Sequence, residues 1–256
     1  MDKKVIVSFT SFPAAIGCVP DVVNSILSGT VLPDKIVLYV TLSQFENNQL
    51  PSWLVEFEKK NPLFEVRDYP RDIRSYRKLI PALIDFPNDL IITIDDDVAY
   101  HKNLIKRLLE VHRENPDCVI AHRAKIIRKD KPYKKWKKLR WYHFLFRKKR
   151  VGFDIMQTGV GGVLYPPGVM DEKMLSPDLF TSIAPTTDDI WFWAATVAKG
   201  NKVMAVPFGY NKPKGLPKPK AASLKLYNFK SGIDRNKAAL DAIIEKYPII
   251  EERIKK

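Results

Sequence analysis

The segment Asp89-Leu-Ile-Ile-Thr-Ile-Asp-Asp-Asp97 joins a short apolar run directly to three carboxylates. Residues 89–94 predict a strand, because leucine, isoleucine and threonine suit the pleated backbone, and a nearly continuous apolar run is typical of a strand covered on both faces. In open parallel sheets, ligands bind beyond the carboxyl ends of the strands. The position of Asp95, Asp96 and Asp97 therefore predicts a ligand site at such an end.

Strand and helix patterns alternate on both sides of this segment. The strand candidates are Lys4–Phe9, Lys35–Val40, Phe64–Tyr69, Asp89–Ile94, Cys118–Ala121 and Lys202–Val206. The helix candidates are Val19–Leu27, Pro51–Lys60, Tyr76–Ile84, Asn103–Arg113, Thr187–Lys199 and Arg235–Lys246. Such alternation is typical of an α/β protein with a mostly parallel sheet between helices. The 256 residues contain no internal repeat and no long linker, so we expect a single domain.

Three adjacent carboxylates repel one another unless a cation or several donors neutralise them. If the backbone stays extended, Asp95 and Asp97 project to the same side. A hard divalent ion that is held by one or two carboxylates and by diphosphate oxygens needs that arrangement. The alternative is that the acids cap a helix that begins near Lys102, although one carboxylate would suffice for a cap.

Several segments resemble GT-A-fold glycosyltransferases, and together they cover most of the chain. Ile91–Asp97 resembles the Asp-X-Asp motif of these enzymes, and Val5–Pro13 is similar to their opening strand and loop, which holds the nucleotide base. Asp72–Leu83 resembles a segment of bacterial polysaccharide glycosyltransferases. Gly159–Gly168 looks like the acceptor-side strand and turn, and Thr187–Asp189 like the motif that supplies the base in inverting members. The resemblance implies a GT-A-like fold, with a Rossmann-like, mixed and mostly parallel sheet flanked by helices.

The resemblance implies a metal-dependent glycosyltransferase that moves a sugar from a nucleotide diphosphate, most commonly UDP, to a glycan or lipid-linked acceptor. Capsule or lipopolysaccharide biosynthesis is the implied setting. Asp97 and Asp95 would bind Mn²⁺ or Mg²⁺. The residues implied at the nucleotide-sugar donor are Thr10, Ser11, Arg74, Lys78, Asp95 and Asp96. Arg74 and Lys78 suit phosphate charge, but their i,i+4 spacing also fits a solvated helix start.

A single displacement needs a general base close to the acceptor hydroxyl. The resemblance favours Asp189 as this base, with Asp188 in reserve, and implies inversion at the anomeric carbon. Plain capping of the helix by Asp188 is the alternative. Gly161, Gly162 and Trp191 are the implied acceptor contacts, although a tryptophan at helical spacing is more often core packing.

One feature departs from the family pattern, in which a C-terminal His often completes the metal site. The four histidines are His101, His112, His122 and His143, all before the acceptor half of the chain. Asn228, Asp234 or a water would have to take that position.

Positive charge is concentrated in one segment. Between Arg123 and Arg150 there are 14 Lys or Arg and one acid, Asp130, whereas the rest of the chain carries 29 basic and 28 acidic residues. We therefore divide the chain into a nucleotide-sugar half (1–122), a basic aromatic insertion (123–150) and an acceptor half (151–256). The insertion also carries large rings, including Trp136, Trp141, Phe144 and Phe146.

A membrane surface or lipid-linked acceptor, a plain solvated face and nucleic acid are the three interpretations of this insertion. The first is favoured on a glycosyltransferase, and no nucleic-acid partner is expected. The alternative function is a non-catalytic module that binds nucleic acid or membrane. Two cysteines and the lack of an apolar run of about 18 residues predict a cytoplasmic protein, with possible peripheral contact to the inner face of the membrane.

Overall fold

The computed structural model describes residues 3–139, 151–206, 214–217, 228 and 232–255. Its strands are β1 Val5–Thr10, β2 Lys35–Val40, β3 Phe64–Asp68, β4 Leu90–Thr93, β5 Val98–Ala99, β6 Val119–Ala121, β7 Ala124–Ile126, β8 Lys137–Lys138, β9 Val151–Gly152, β10 Ile155–Gln157, β11 Val163–Tyr165, β12 Val203–Ala205 and β13 Lys214–Gly215. Its α-helices are α1 Val19–Leu27, α2 Ser52–Lys60, α3 Ile80–Asp85, α4 Leu104–Glu114, α5 Pro177–Ile183, α6 Asp188–Lys199, α7 Arg235–Lys246 and α8 Pro248–Ile254. Short 3-10 helices span Ile16–Cys18, Leu42–Gln44, Glu46–Asn48, Arg74–Lys78, Tyr133–Lys135, Gly159–Gly161 and Glu172–Met174.

The largest sheet has the order β3-β2-β1-β4-β11-β6-β12-β9. The pairs β3-β2, β2-β1 and β1-β4 are parallel, β11 is antiparallel to both β4 and β6, and β12 is parallel to β6. Since β4 comes from the first half of the chain and β11 from the second, one sheet joins the two halves. The predicted fold class, a mixed and mostly parallel sheet flanked by helices, is confirmed.

Helices cover both faces of this sheet. Successive side chains along a strand point to opposite sides and so enter the cores on the two faces in turn. In β1, Ile6 belongs to the core on one face and Val7 to the core on the other. The first core includes residues of α3, α5, α6, α7 and α8, and the second includes residues of α1, α2 and α4. Burial on both sides explains why β1, β2 and β4 are nearly continuous apolar runs.

The predicted helix Tyr76–Ile84 is wrong in one respect. The structure has a 3-10 helix, Arg74–Lys78, followed by the separate helix α3. Pro81 explains the break, because it has no N–H to donate to residue 77 and it favours the first turn of a helix. Because of the break, residues 74–78 form a separate 3-10 helix instead of continuing into α3.

The described part of the basic segment belongs to the fold. Strands β7 and β8 lie within residues 123–139 and form a small antiparallel sheet with β10 from the second half of the chain, in the order β10-β7-β8. Trp136 is buried and its indole N–H donates to the Lys131 carbonyl (3.0 Å), so this ring does not serve a membrane surface as expected. Trp141, Phe144 and Phe146 lie outside the described residues.

Within the described ranges, none of the helices has the length and the apolar composition required to span a bilayer.

Candidate active site

The strand order reverses direction between β1 and β4. The chain runs outward from β1 through β2 to β3 and then returns to β4 on the other side of β1. The crevice beyond the carboxyl ends of two such strands is where open α/β sheets bind ligands. Thr10 and Ser11 stand at this end of β1, and Asp95–Asp97 follow β4. The two segments that the sequence assigns to the donor therefore meet at this crevice.

The acidic run turns as it leaves the sheet. Asp96 and Asp97 lie in a turn, so the extended backbone assumed for Asp95 and Asp97 is not observed. Asp96 is buried and accepts a hydrogen bond from the Ser11 hydroxyl (2.7 Å), which ties the ends of β1 and β4 together. The Asp95 backbone N–H donates to the Tyr100 hydroxyl (2.8 Å). Ser11 and Asp96 thus contact each other across the crevice.

The ammonium group of Lys78 is the centre of the site. Its Nζ lies 2.9 Å from Asp188 Oδ2, 3.2 Å from Asp95 Oδ1 and 3.8 Å from Asp189 Oδ1. Burial lowers the pKa of Lys78, but the three carboxylates more than offset this effect and raise it well above its usual range. Lys78 is therefore a cation that links the acid after β4 to the acid pair that begins α6.

Local structure carries Lys78 into this position. The Lys78 carbonyl accepts a hydrogen bond from the buried Ser8 hydroxyl of β1 (2.7 Å). On the same 3-10 helix, the ring of Tyr76 stacks on Phe180 with 4.1 Å between centroids, and its hydroxyl donates to the Ala184 carbonyl (2.6 Å). These contacts hold the segment against the sheet, so that Lys78 is directed inward.

Arg74 behaves differently from Lys78. It is exposed and has a left-handed backbone conformation (φ 53°). Its backbone N–H donates to Asp72 Oδ1 (2.9 Å). The expected phosphate-binding pair is therefore split between a buried and an exposed position. A phosphate role for Arg74 stays a prediction, whereas Lys78 already has three carboxylate neighbours.

The two acids at the start of α6 have different partners. Asp188 accepts a hydrogen bond from the Ser75 hydroxyl (2.8 Å) in addition to its ion pair with Lys78. Asp189 accepts the Gly159 backbone N–H at both carboxylate oxygens, at 3.0 and 3.1 Å. The N-cap residue, Thr187, makes no side-chain capping bond. The alternative in which Asp188 merely caps this helix is thus not what the structure shows.

Asp189 has the electrostatic character of a proton acceptor. Burial is the largest cause that raises its pKa, to about 7; Asp188 and Asp95 add to the rise, while Lys78 and the Gly159 N–H oppose it. Its side chain nevertheless keeps 29% of its surface exposed, so a ligand in the crevice can reach it. A carboxylate with a pKa near neutrality is well matched to general-base catalysis.

Gly159 is required by this cluster. A Cβ atom at this position would lie 2.5 Å from Lys78 Nζ, 3.1 Å from Asp95 Oδ1 and 3.2 Å from Asp189 Oδ1. Any side chain would push the ammonium group away from the acids. The sequence analysis placed Gly159 in the acceptor-side turn but did not single it out.

Arg77 is a residue that the sequence analysis missed. It is buried, its Nε donates to Thr10 Oγ1 (2.8 Å) and its Nη2 to the Ser11 carbonyl (3.1 Å), and its Nη1 hydrogen-bonds to Thr41 Oγ1. Thr10 in turn donates to the Tyr39 carbonyl (2.8 Å). Arg77 therefore holds the ends of β1 and β2 in position. Its place in a run with Arg74 and Lys78 was the available signal, but nothing in the sequence marks the middle cation as the buried anchor.

The proposed acceptor residues occupy the protein interior. Trp191 is fully buried, donates its indole N–H to the Met174 carbonyl (2.8 Å) and cannot offer a ring face to a sugar, so that expectation is corrected. Gly161 and Gly162 follow Gly159 on the same turn, and both are buried. Gly162 has φ +84°, and a Cβ there would come within 2.8 Å of Leu104 Cδ1. Close packing explains Gly162, and acceptor contact by either glycine stays a prediction.

Few ligands for a divalent ion are found among the described residues. No group of three or more His, Cys, Asp or Glu side chains within the described ranges is arranged to hold a metal. Asp234 caps α7 by accepting the Lys237 N–H (3.1 Å), and Asn228 is bonded to Thr186 at 2.7 and 3.0 Å, so neither stands as a substitute for the missing histidine. Asp95 and Asp97 as metal ligands stay a prediction, because the extended backbone expected for them is not observed. An ion of the Mg²⁺ type at a nucleotide site usually takes one or two carboxylates, with substrate phosphates and water as its other ligands.

Comparison with known proteins agrees with this architecture. Residues 82–163 match the sequence model described as "Glycosyl transferase family 2", a span that contains the acidic run and Gly159. No curated protein matches the chain. A crystal structure of GalNAc-T7 with UDP, GalNAc and Mn²⁺ superposes with a TM-score of 0.59 at 12% identity, over 95% of this chain and 48% of that chain. A 4-diphosphocytidyl-2C-methyl-D-erythritol synthase gives a TM-score of 0.49 at 12% identity, over 87% of this chain and 96% of that chain.

At 12% identity the likeness to GalNAc-T7 shows the fold alone, and this chain spans about half of the length of that protein. The family match concerns the central segment, which includes β4, the acidic run and the turn at Gly159. Fold and matched segment together support one class of protein, a glycosyltransferase with the GT-A fold.

Proposed function

We propose that this chain transfers a sugar from a nucleotide diphosphate, with UDP as the first candidate, to a hydroxyl of a glycan or lipid-linked acceptor in surface polysaccharide biosynthesis. The proposed transfer inverts the anomeric configuration. One observation carries the proposal: Asp95 beyond β4 and Asp189 at the start of α6 share the ammonium group of Lys78, at 3.2 and 3.8 Å, in the crevice at the strand-order reversal. A donor-side acid and an acid with a pKa near 7 are thus neighbours.

The chemistry follows from the character of Asp189. Its carboxylate takes the proton of the acceptor hydroxyl, the hydroxyl oxygen forms a bond to the anomeric carbon, and the bond from that carbon to the diphosphate oxygen breaks. The nucleotide diphosphate leaves with the bonding electrons. A backside attack of this kind inverts the anomeric centre. Lys78 is a fixed positive charge beside Asp189, and it limits how far the pKa of that carboxyl rises.

Asp97 and Asp95 are the residues that would hold Mn²⁺ or Mg²⁺. A bound ion would offset the negative charge that develops on the leaving diphosphate. The crystal structure of GalNAc-T7 carries Mn²⁺ together with UDP, which supports testing manganese first. Thr10 and the buried Arg77 shape the ends of β1 and β2, where the nucleoside is proposed to lie.

Thermal shift measurements test the donor part of the proposal. The purified chain is melted with UDP, GDP or CMP, each with and without Mn²⁺. We expect stabilisation by a nucleoside diphosphate that requires the metal and disappears in Asp97→Ala. A matched control is Asp117→Ala, which removes an exposed carboxylate from the turn after α4 and should leave the nucleotide response unchanged. If no nucleotide raises the melting temperature, the donor assignment is wrong and a non-catalytic binding module becomes the better hypothesis.

A donor screen that detects nucleotide release then identifies the sugar, and an NMR time course of the product reports the stereochemistry. The proposal requires the anomeric configuration of the product to be opposite to that of the donor. Retention of configuration would exclude Asp189 as the base of a single displacement.

Peripheral membrane contact through residues 123–150 stays a prediction. Lys134, Lys135 and Lys137 are exposed, which agrees with a cationic surface, whereas Trp136 is buried. Flotation with liposomes of anionic lipid measures this contact directly. Binding to RNA but not to liposomes would reverse the preference for membrane over nucleic acid.

A further inference from the structure

The start of the basic segment lies beside Asp189. The carbonyl of Arg123 accepts the Thr158 N–H (2.9 Å), and the next residue, Gly159, donates its N–H to the Asp189 carboxylate. Arg123 directly precedes β7, whose Ala124 pairs with Gln157 of β10. The Gln157 side-chain amide in turn donates to the Asp189 carbonyl (3.3 Å). The consecutive residues Gln157, Thr158 and Gly159, at the end of β10, thus link Arg123 to Asp189.

Two lysines at this end of the small sheet lie opposite each other on paired strands. Lys125 is buried, with its Nζ 3.2 Å from the centroid of the Tyr133 ring and 3.3 Å from the Tyr133 carbonyl. On the neighbouring strand, Lys138 pairs directly with Lys125 in the register. Like charges opposite each other on adjacent strands are destabilising. Burial and then Arg123 and Lys138 lower the pKa of Lys125 to about 8, while Asp234 and Asp189 oppose the change.

Among the described residues, none is a partner for the charged end of Arg123. Its side chain is half-buried, and with the residues in the described part of the chain its guanidinium forms no hydrogen bond or ion pair. A guanidinium presents parallel N–H groups that match the two oxygens of a phosphate or a carboxylate. An anionic group at this point would also relieve the repulsion between Arg123 and Lys125.

We propose that Arg123, with Lys125 as a neighbouring charge, forms a subsite for an oxyanion carried by the acceptor, either a phosphate or a sugar carboxylate. The inference rests on the proposed function, because it gives Asp189 an acceptor to deprotonate, and it narrows that acceptor to an anionic class. The subsite would place the first cation of the basic segment near Asp189, to which it is linked through Thr158 and Gly159.

Binding of small sugars tests the proposal. Glucose 6-phosphate, glucuronate and glucose are titrated against the full chain, with calorimetry or ligand-detected NMR as the measurement. We expect at least one of the two anionic sugars to bind at least about tenfold more tightly than glucose, as a charge-assisted hydrogen bond predicts. Preference for glucose 6-phosphate indicates a phosphate-bearing acceptor, and preference for glucuronate indicates an acidic sugar.

Two variants distinguish a subsite from diffuse charge. Arg123→Gln should remove the preference for the anionic sugar, and Arg123→Lys, which keeps the charge without the planar fork, should retain part of it. Arg128→Gln is the matched control, because Arg128 lies in the same segment with an exposed side chain beside Asp130. Equal binding of glucose and both anions by the unmodified chain, an unchanged preference in Arg123→Gln, or an equal loss in Arg128→Gln would each overturn the proposal.

Nucleotide binding, measured in the same samples, separates this proposal from the proposed function. We expect the UDP response to survive in Arg123→Gln, because Arg123 is not among the residues assigned to the donor. If the unmodified chain prefers the anionic sugar but binds no nucleotide, the anion subsite stands and the transferase assignment falls. If it binds UDP but shows no anion preference, the subsite falls and the transferase assignment stands.

Discussion

Replacement of Lys78 by methionine tests whether three carboxylates depend on a single cation. The Lys78 side chain is only 7% exposed, and its ammonium group lies 2.9, 3.2 and 3.8 Å from oxygens of Asp188, Asp95 and Asp189. Removal of one partner from a buried ion pair costs about 3–5 kcal/mol, because the remaining charge is left uncompensated. We expect a loss of this size in the free energy of unfolding at pH 8.5, a large part of the roughly 5–15 kcal/mol of a typical domain.

The loss should depend on pH in a defined direction. The pKa of Asp189 is already raised to about 7 by burial and neighbouring acids, against the opposing effect of Lys78, so it rises further in Lys78→Met. A carboxyl whose pKa is raised in the folded state stabilises the fold at low pH, and this contribution disappears as the pH passes the folded-state pKa. Between pH 7 and the new pKa, the variant therefore loses about 1.4 kcal/mol per unit that the unmodified chain does not lose.

Urea denaturation at pH 5.5 and pH 8.5 measures both quantities, with the variant purified near pH 6. Lys106→Met is the control, because Lys106 is exposed and lies 4.0 Å from Glu110 on the surface of α4. A pair of this kind contributes about 0.5 kcal/mol or less, without the same dependence on pH. A loss below about 1 kcal/mol in Lys78→Met at pH 8.5, or an equal loss at both pH values, would refute the idea of a shared counter-ion.

Three further predictions concern the same site. Asp189→Asn should lower the transfer rate by about a hundredfold or more while UDP still binds. For the unmodified enzyme, kcat/KM should rise with pH through about 7, where the Asp189 carboxylate ionises. A flat profile of kcat/KM from pH 5 to 9 would contradict the assignment of Asp189 as the base. Gly159→Ala should lower the free energy of unfolding by about 1–3 kcal/mol and remove most of the activity, because the new Cβ would meet Lys78 Nζ at 2.5 Å. The control is Gly17→Ala, where a Cβ would have no atom within 4 Å and urea denaturation should show no change. Arg77→Met should lower the free energy of unfolding by about 3 kcal/mol and weaken UDP binding in calorimetry. If the unfolding free energy and the UDP affinity are both unchanged, Arg77 does not support the ends of β1 and β2.

The sequence predicted the frame of the fold because the frame depends on local patterns. Helices α1 and α7 begin and end at the predicted residues, Val19–Leu27 and Arg235–Lys246. The apolar runs of β1, β2 and β4 predicted strands that are buried on both faces, and both cores contain their side chains. The apolar run that directly precedes Asp95 predicted its position at the end of a strand.

Two errors of the sequence analysis concern the burial of tryptophan side chains. Trp191 and Trp136 have side chains that suit a sugar or a membrane, yet both donate their indole N–H to a backbone carbonyl inside the protein. For Trp191 a signal existed, because every residue of α6 from Ile190 to Val197 except Thr196 is apolar, and a helix that is apolar on all sides is normally buried. For Trp136 no such signal existed, because the lysines on either side of it predicted an exposed segment.

The amino-acid sequence by itself determined the α/β alternation, the strand that ends in Asp95 and the acid pair that begins α6, since each depends on residues that are neighbours in the chain. Only the tertiary structure decided which cation serves these acids. Lys78, and not Arg74, enters the crevice, because the 3-10 helix that carries both is held by Ser8 and Phe180 and directs residue 78 inward. The partners of Lys78 come from separate segments, and their interaction depends on distance and burial, which no local pattern contains.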